Sequence, residues 1–458
     1  EQIIAVVGDR AITASQLARS YELQPKWGAG LTQRQAYHNQ LDYLIDEKLF
    51  TLEACRLELH RDPAIAGYLQ FIEEKELNKA LYEHEVADKV EISEAEYQQA
   101  YLQSKKKVRF NYIFTRIAEY ARYYAEQLQT TPFDSIRVAE VLNDQKGVTR
   151  MMTFGDLHPN IEAVVFNLKP GEVAGPIEIL DGYMVIQLLE GTVEKFMSEM
   201  DFAQQKNKLQ KVIYQRKAAP IANRYVKDVM LDKHLTLNPE VFFALEKLFA
   251  RAARHETQPE LIPVHLSDAA LHLVASDAAE LNQQVLATFD GGQITVGEFL
   301  EKMRNQPAGM RPRINMAQQL KDAIGVAVRN EFLAKEARKK ALHKSPRVRA
   351  EIQIQQDQAL ARFYLERQLR TIAVTADEIS QFKQSEKFKE LGGSLDDEQV
   401  SDIIKDFKLA QWKIAEHDRL AQVFEIAVDS TRLNKMIETP EKIIDRDPMP
   451  FVVREIFN

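Results

Sequence analysis

Apolar residues recur at helical period over long stretches of this chain. Leu41, Leu44, Ile45, Leu49 and Leu52, with Lys48 among them, follow one another at intervals of three and four and predict one face of a helix. The pattern changes at residue 107. Residues 108–114 (Val-Arg-Phe-Asn-Tyr-Ile-Phe) and 183–189 (Tyr-Met-Val-Ile-Gln-Leu-Leu) read as strands, while 116–129 and 159–167 return to helical spacing. Residues 107–193 are therefore expected to form a small α+β unit inside a largely helical protein. Beyond it, 194–230 predicts a long helical stretch with Phe196, Met200, Phe202, Leu209, Val212 and Ile213 as its apolar residues, interrupted near Pro220. Pro259 and Pro263 mark 255–282 as a linker, and 398–427 is helical again in a tail that opens at Gly392-Gly393.

The helical parts read as two copies of one module. Residues 5–17 (Ala-Val-Val-Gly-Asp-Arg-Ala-Ile-Thr-Ala-Ser-Gln-Leu) align with 287–299 (Ala-Thr-Phe-Asp-Gly-Gly-Gln-Ile-Thr-Val-Gly-Glu-Phe), each a strand, a turn, a second strand and a helix start. The turns are expected at Gly8-Asp9 and Gly291-Gly292. Leu59-His60-Arg61-Asp62-Pro63 returns as Leu342-His343-Lys344-Ser345-Pro346, and a Ser/Thr-x-x-Glu helix start occurs at Ser93 and again at Thr375. Each is a helix boundary of the same kind, in the same order.

Composition narrows the function classes. The 458 residues suit several domains, and no run approaches the ~18 apolar residues of a membrane helix. Sixty basic and 68 acidic residues give a net charge of −8 with no concentrated positive field, so nucleic acid is not an expected partner. One cysteine, Cys55, excludes an internal disulfide and any cysteine-rich metal site. His265 and His272 can share a helix face but have no third ligand, so no metal and no cofactor is expected. The basic run Lys206, Lys208, Lys211, Arg216 and Lys217 reads as a solvated helix face. The chain starts at Glu1, and its apolar stretch 3–7 is too short for a secretory signal, which favours a signal already removed.

At 107–193 the chain resembles the parvulin (PpiC-type) peptidyl-prolyl isomerase domain. The likeness rests on Val108-Arg109-x-x-Tyr112-Ile113-Phe114, on residues 161–176, which contain the Phe-x-Leu-x-x-Gly-Glu-Val-x-x-Pro element, and on Gly182-Tyr183-Met184-Val185-Ile186. With the helical segments around it, the arrangement is similar to SurA-like and PrsA-like extracytoplasmic folding chaperones. The fold class implied is α+β: mostly helical, SurA-N-like chaperone modules, duplicated, with one inserted parvulin-like domain. The resemblance also implies a histidine in the first strand and another in the last. Here those positions hold Tyr112 and Met184. A tyrosine can exchange hydrogen bonds but a methionine cannot usefully do so, and isomerisation must lower a barrier of about 20 kcal/mol by holding the twisted amide best. Weak or lost catalysis is the expectation. Tyr112, Leu157, Ile161, Phe166 and Met184 are the candidate peptide-binding residues by the same resemblance, and the same apolar residues also read as plain core. A polar position of the family falls at Asn143 or Asp144.

The expected organisation is a first helical copy at 1–106, the parvulin-like domain at 107–193, and a helical segment at 194–254 packing back on the first copy. A linker follows at 255–282, then the second copy at 283–385 and a mainly helical tail at 386–458. The function implied is a periplasmic or otherwise extracytoplasmic chaperone that holds unfolded polypeptides. A working isomerase and a self-associating structural protein are the alternatives.

Overall fold

Local punctuation sets the helices, and long-range strand pairing assembles them. The computed structural model describes residues 2–23, 30–139, 144–179, 182–194, 199–256, 265–391 and 394–438. The chain opens with strands β1 (Ile3–Val7) and β2 (Arg10–Thr13) and helices α1 (Ala14–Leu23), α2 (Gln33–Arg56) and α3 (Pro63–Glu85). Then come α4 (Glu94–Ser104), β3 (Lys106–Thr115), α5 (Ala118–Thr130), β4 (Gln145–Val148), α6 (Pro159–Val165), β5 (Val173–Ile179) and β6 (Gly182–Val193). The return runs through α7 (Glu199–Met230), β7 (Thr236–Leu237), α8 (Pro239–Glu256) and α9 (Asp268–Asp277). A second hairpin, β8 (Val285–Phe289) and β9 (Gly292–Thr295), leads into α10 (Val296–Arg304), α11 (Ala317–Lys339) and α12 (Pro346–Thr371). The last elements are α13 (Ala376–Gln384), α14 (Glu386–Glu390), α15 (Asp397–Leu420), β10 (Ile426–Val428) and α16 (Ser430–Glu438). These divide into two units, Glu1–Tyr82 with Val226–Asn458, and Glu83–Tyr225.

In the larger unit the two hairpins share one register. Ala5 faces Ile12 and Val7 faces Arg10, while Ala287 faces Ile294 and Phe289 faces Gly292, each hairpin carrying one irregularity near its open end. The second turn is therefore Asp290-Gly291, with Gly292 already in β9. Glu58 and Ala341 both take left-handed backbone, φ 56° and 58°, before short 3-10 turns, and prolines open α3 and α12. Ser93 and Thr375 each close a capping box, one in each unit.

A third strand completes each hairpin from elsewhere in the chain. β10 pairs antiparallel with β1, Val428 facing Ala5, and β7 pairs with β8, Leu237 facing Ala287. The first core joins Ile4, Leu17, Leu44 and Leu49 to Leu360 and Tyr364 of α12 and to Leu420, Leu433 and Ile437 near the chain's end. The second joins Leu286, Ile294, Phe299 and Leu320 to Val241, Leu245 and Phe249 of α8 and Leu271 and Val274 of α9. Helix α2 packs along α12, and Asn78 of α3 donates to the Asn330 carbonyl of α11 at 3.1 Å.

Three expectations change here. The part of 194–254 after Val226 closes the second hairpin's core rather than the first, because β7 and α8 present their apolar residues to β8. Within the expected linker, residues 265–282 hold helix α9, capped by Ser267 and buried at Ala270, Leu271 and Val274. Helix α7 also runs through Pro220 without interruption. Ala218 and Ala222 on either side are buried, and their packing carries the helix past the missing N–H. Phe196 lies outside the described residues.

The smaller unit is a four-stranded antiparallel sheet in the order β4-β3-β6-β5. Alternation along β3 and β6 separates two apolar faces. Ile113 and Val185 pack with Ala121, Tyr124 and Leu128 of α5, whereas Val108, Phe110, Ile186 and Leu188 pack with Ile161 and Val165 of α6. The unit is wider than 107–193 because Tyr97, Ala100 and Tyr101 of α4 form their own cluster with Phe154 and with Leu209 and Ile213 of α7.

Candidate functional site

The α6 face of this sheet collects all five candidate residues. Tyr112 on β3 pairs across to Ile186, and Met184 on β6 pairs to Phe114, so Tyr112 and Met184 are diagonal neighbours on one face. Leu157 lies just before α6 and Phe166 is its C-terminal cap. Tyr112, Leu157, Phe166 and Met184 are half-buried against the cluster, and Ile161 is only 4% exposed. Four residues therefore line the face and Ile161 supports it from beneath.

The polar content of this face is small. The Tyr112 ring lies over Gly147, where an added Cβ would be 2.8 Å from the phenol oxygen, so a glycine is what lets the ring settle there. That hydroxyl makes no hydrogen bond among the described residues. Asn143 lies outside them. Asp144 is buried on the other side, its Oδ2 accepting from the Tyr124 hydroxyl of α5 at 2.8 Å. Burial, then the bond to Asp144, pushes the Tyr124 hydroxyl up to about 12, so it stays protonated as a donor. Asp144 is committed to the α5 side and serves no pair with Tyr112.

Helix α6 is held by a pair that its sequence position does not advertise. Glu162, 4% exposed, accepts from the Gly155 N–H at 2.7 Å and from Arg216 Nη2 at 2.8 Å, and the Arg216 guanidinium stacks on Phe154. The basic run thus departs from a solvated face. Arg216 anchors α6, Lys217 pairs with Glu96 at 2.7 Å, and Lys206 lies over the Tyr97 ring. The Lys217 bond, with the Ser93 cap, holds the Glu96 carboxyl at about 2. The only hint in the sequence is that Glu162 is a carboxylate among the apolar residues of a short helix.

The start of α6 is pH-sensitive. His158 Nδ1 accepts from the Asn160 N–H at 3.2 Å, which requires an unprotonated nitrogen. Burial, then the Arg216 charge, holds the imidazole below its ordinary value of 6.5. As pH falls through about 6.5 the unfolded chain takes up the proton first, so the cap's contribution is complete above that pH and declines below it. Exchange of the Asn160 amide hydrogen, corrected for its intrinsic pH dependence, is expected to lose protection below pH ~6.5. Unchanged protection down to pH 5 would contradict the cap's role.

Gly182 opens β6 with φ 155°, and a Cβ there would sit 2.4 Å from the Thr115 carbonyl oxygen. Backbone cannot yield as a side chain can. Gly182→Ala is expected to destabilise the smaller unit by about 2 kcal/mol, read from urea denaturation, and a change under ~0.5 kcal/mol would refute the clash.

Compared with protein-family models, residues 86–190 match the one described as Rotamase, PPIC-type PPIASE domain. Residues 86–190 are a rotamase domain of the PPIC type. The rotamase match extends ahead of β3 to include α4, in keeping with the packing of Tyr97 and Tyr101. No curated protein matches the chain. Among solved structures it is similar to the peptidylprolyl isomerase PrsA of Bacillus anthracis, with 15% identity over 39% of this chain and 89% of that one, TM-score 0.21. A structure described with two SurA-like chaperones of Campylobacter jejuni, PEB4 and Cj1289, aligns at 15% identity over 49% and 96%, TM-score 0.17. PrsA from Bacillus subtilis aligns at 18% identity over 48% and 91%, TM-score 0.15. Among the described residues no helix of the protein is long and apolar enough to cross a membrane.

Proposed function

We propose that the chain is an extracytoplasmic folding chaperone that holds unfolded polypeptides, and that its rotamase domain binds peptide with weak or absent isomerase activity. The observation that carries this reading is the α6 face. Its half-buried apolar residues Tyr112, Leu157, Phe166 and Met184 suit a prolyl-containing segment, yet among the described residues Tyr112 and Met184 make no reciprocal hydrogen-bonding pair on that face. Apolar grooves bind extended chains without demanding a sequence, whereas catalysis needs contacts that strengthen only in the twisted state. The full-length chain is therefore expected to suppress aggregation of a reduced, unfolded client while accelerating cis/trans exchange of a proline peptide little above the uncatalysed rate. Fast exchange that Phe166→Ala abolishes would establish the alternative, a working isomerase.

The two hairpin modules are further read as copies of one ancestral module that have exchanged their distal parts. Leaving the first hairpin module, the chain passes through α3, the smaller unit and α7 to β7 and α8, which complete the second core. Leaving the second, it passes through α12 to β10 and α16, which complete the first. Val428 follows Leu237 by 191 positions, whereas their partners Ala5 and Ala287 are 282 apart, so the second copy is shorter by about the length of the inserted domain. This exchange closes within one chain and favours a monomer over the self-associating alternative. A light-scattering mass of two chains at micromolar concentration would overturn that part of the reading.

A further inference from the structure

In the larger unit a cavity of about 720 Å³ opens between α3, α10, α11 and α12, a volume that accommodates a short peptide segment. Phe71 and the exposed Met310 supply apolar wall. Its charged lining is balanced, and two of the charged groups lie deep: Glu76, 5% exposed and paired with Lys75 at 3.1 Å, and one cation. Arg329 of α11 is 5% exposed, and its Nε and Nη2 both donate to the Asn330 Oδ1, at 3.1 and 2.8 Å. Among the described residues it forms no ion pair, and its Nη1 makes no hydrogen bond. Burial alone lowers this guanidinium to about 10. The adjoining Asn78, also in the lining, has a buried Oδ1 with no hydrogen-bond partner.

A buried, unpaired guanidinium is costly, and proteins ordinarily neutralise one with a carboxylate. The first core has no such cation at the matching place. Asp46 of α2, which aligns with Arg329 at the offset of 283 seen for Pro63 and Pro346, is closed by His417 at 2.5 Å. In the second core the cation stays open toward the cavity, beside an acceptor that lacks a donor.

We propose that this cavity is an anion subsite for polypeptide ligands, in which a ligand carboxylate pairs with Arg329 while the flanking apolar residue rests on Phe71 and Met310. The subsite rests on the holdase reading and gives its ligand class: segments with a carboxylate beside apolar side chains. Two sources share this chemistry, a C-terminal α-carboxylate and an Asp or Glu side chain.

The test is fluorescence anisotropy on the full-length chain with three labelled apolar decapeptides: a free acid, its C-terminal amide, and an amide containing one internal Glu. The free acid is expected to bind at least ~10-fold more tightly than the plain amide, about 1.4 kcal/mol, with Arg329→Met bringing the acid to the level of the amide. Recovery of affinity by the Glu-containing amide assigns the site to acidic side chains, and its failure to recover assigns it to the C-terminus. Either result, with acid preferred over plain amide, supports the subsite. Equal binding of all three peptides by the wild-type chain overturns it, as does a preference for carboxylate that survives in folded Arg329→Met. Loss of an unpaired buried charge should leave the melting temperature of that variant unchanged or higher. If the variant does not fold, the peptide comparison on the wild-type chain decides. Aggregation suppression, measured alongside, separates the two readings: a chain that prefers carboxylate but fails to protect a client keeps the subsite and loses the holdase.

Discussion

Asp357→Ala is expected to cost about 3–5 kcal/mol of stability in the first core, the range for breaking a buried ion pair by removing one partner. Asp357 of α12 is 1% exposed and meets Lys48 of α2, also 1% exposed, at 2.9 Å. Gln353 donates to its other oxygen at 2.6 Å, and Arg10 of β2 lies 3.4 Å away. Thr51 donates to the Asp357 carbonyl as well as to that of Glu47. One side chain thus ties the second module's helix to the hairpin and helix of the first. Without it Lys48 keeps, among the described residues, only the Glu47 ion pair at 3.3 Å, and burial already raises the Glu47 carboxyl above its ordinary range. The reporter is Trp412, which packs against both Phe50 and Tyr364 in this core, followed during urea denaturation in a Trp27→Phe background. Lys48→Met with Asp357→Leu should recover most of the loss, because a well-packed apolar replacement of a buried pair is often neutral or better. A single-variant effect below ~1 kcal/mol would show that the pair does not hold α2 to α12.

Ending the chain at Leu420 is expected to abolish the cooperative unfolding transition of Trp412. The cut removes β10, which covers the edge of β1 at Ala5, Val6 and Val7, and removes Leu433 and Ile437, 1% and 8% exposed. Losing the side chains of two buried aliphatic residues alone costs about 2–5 kcal/mol each, which approaches the whole stability of an ordinary domain. Ile4 and Val7 would face water, and the bare β1 edge would offer itself for pairing. The truncated chain should bind a hydrophobic dye, and a separate peptide of residues 421–458 should restore the transition. If the transition survives unchanged, the assignment of β10 and α16 to the first core is wrong.

Signals confined to a few neighbouring residues were readable without coordinates. Thr-x-x-Glu and Ser-x-x-Glu starts, the helix ends ahead of Pro63 and Pro346 and, to within one residue, the two hairpin turns act within one helical turn or one strand pair, so periodicity and capping residues reveal them. Tyr112 and Met184 were brought together in the sequence only by the resemblance; that they share a face follows from the register of β3 with β6. Arg216 and Arg329 were not readable in the same way. Each stands on a helix like any surface cation, and only packing decides that one is consumed by Glu162 while the other is buried without a carboxylate.

What the sequence by itself determined is the set of parts: helices with their ends, two hairpins in one register, and a PPIC-type domain. Which parts complete which core was decided only by the tertiary structure. β7 and β10 are two and three residues long, too short to carry a pairing preference of their own, and the two hairpins they could join are nearly alike. The choice falls to contacts hundreds of residues apart, such as Lys48 with Asp357 and Ile4 with Leu433. Their free energy exists only once the helices have packed and excluded water.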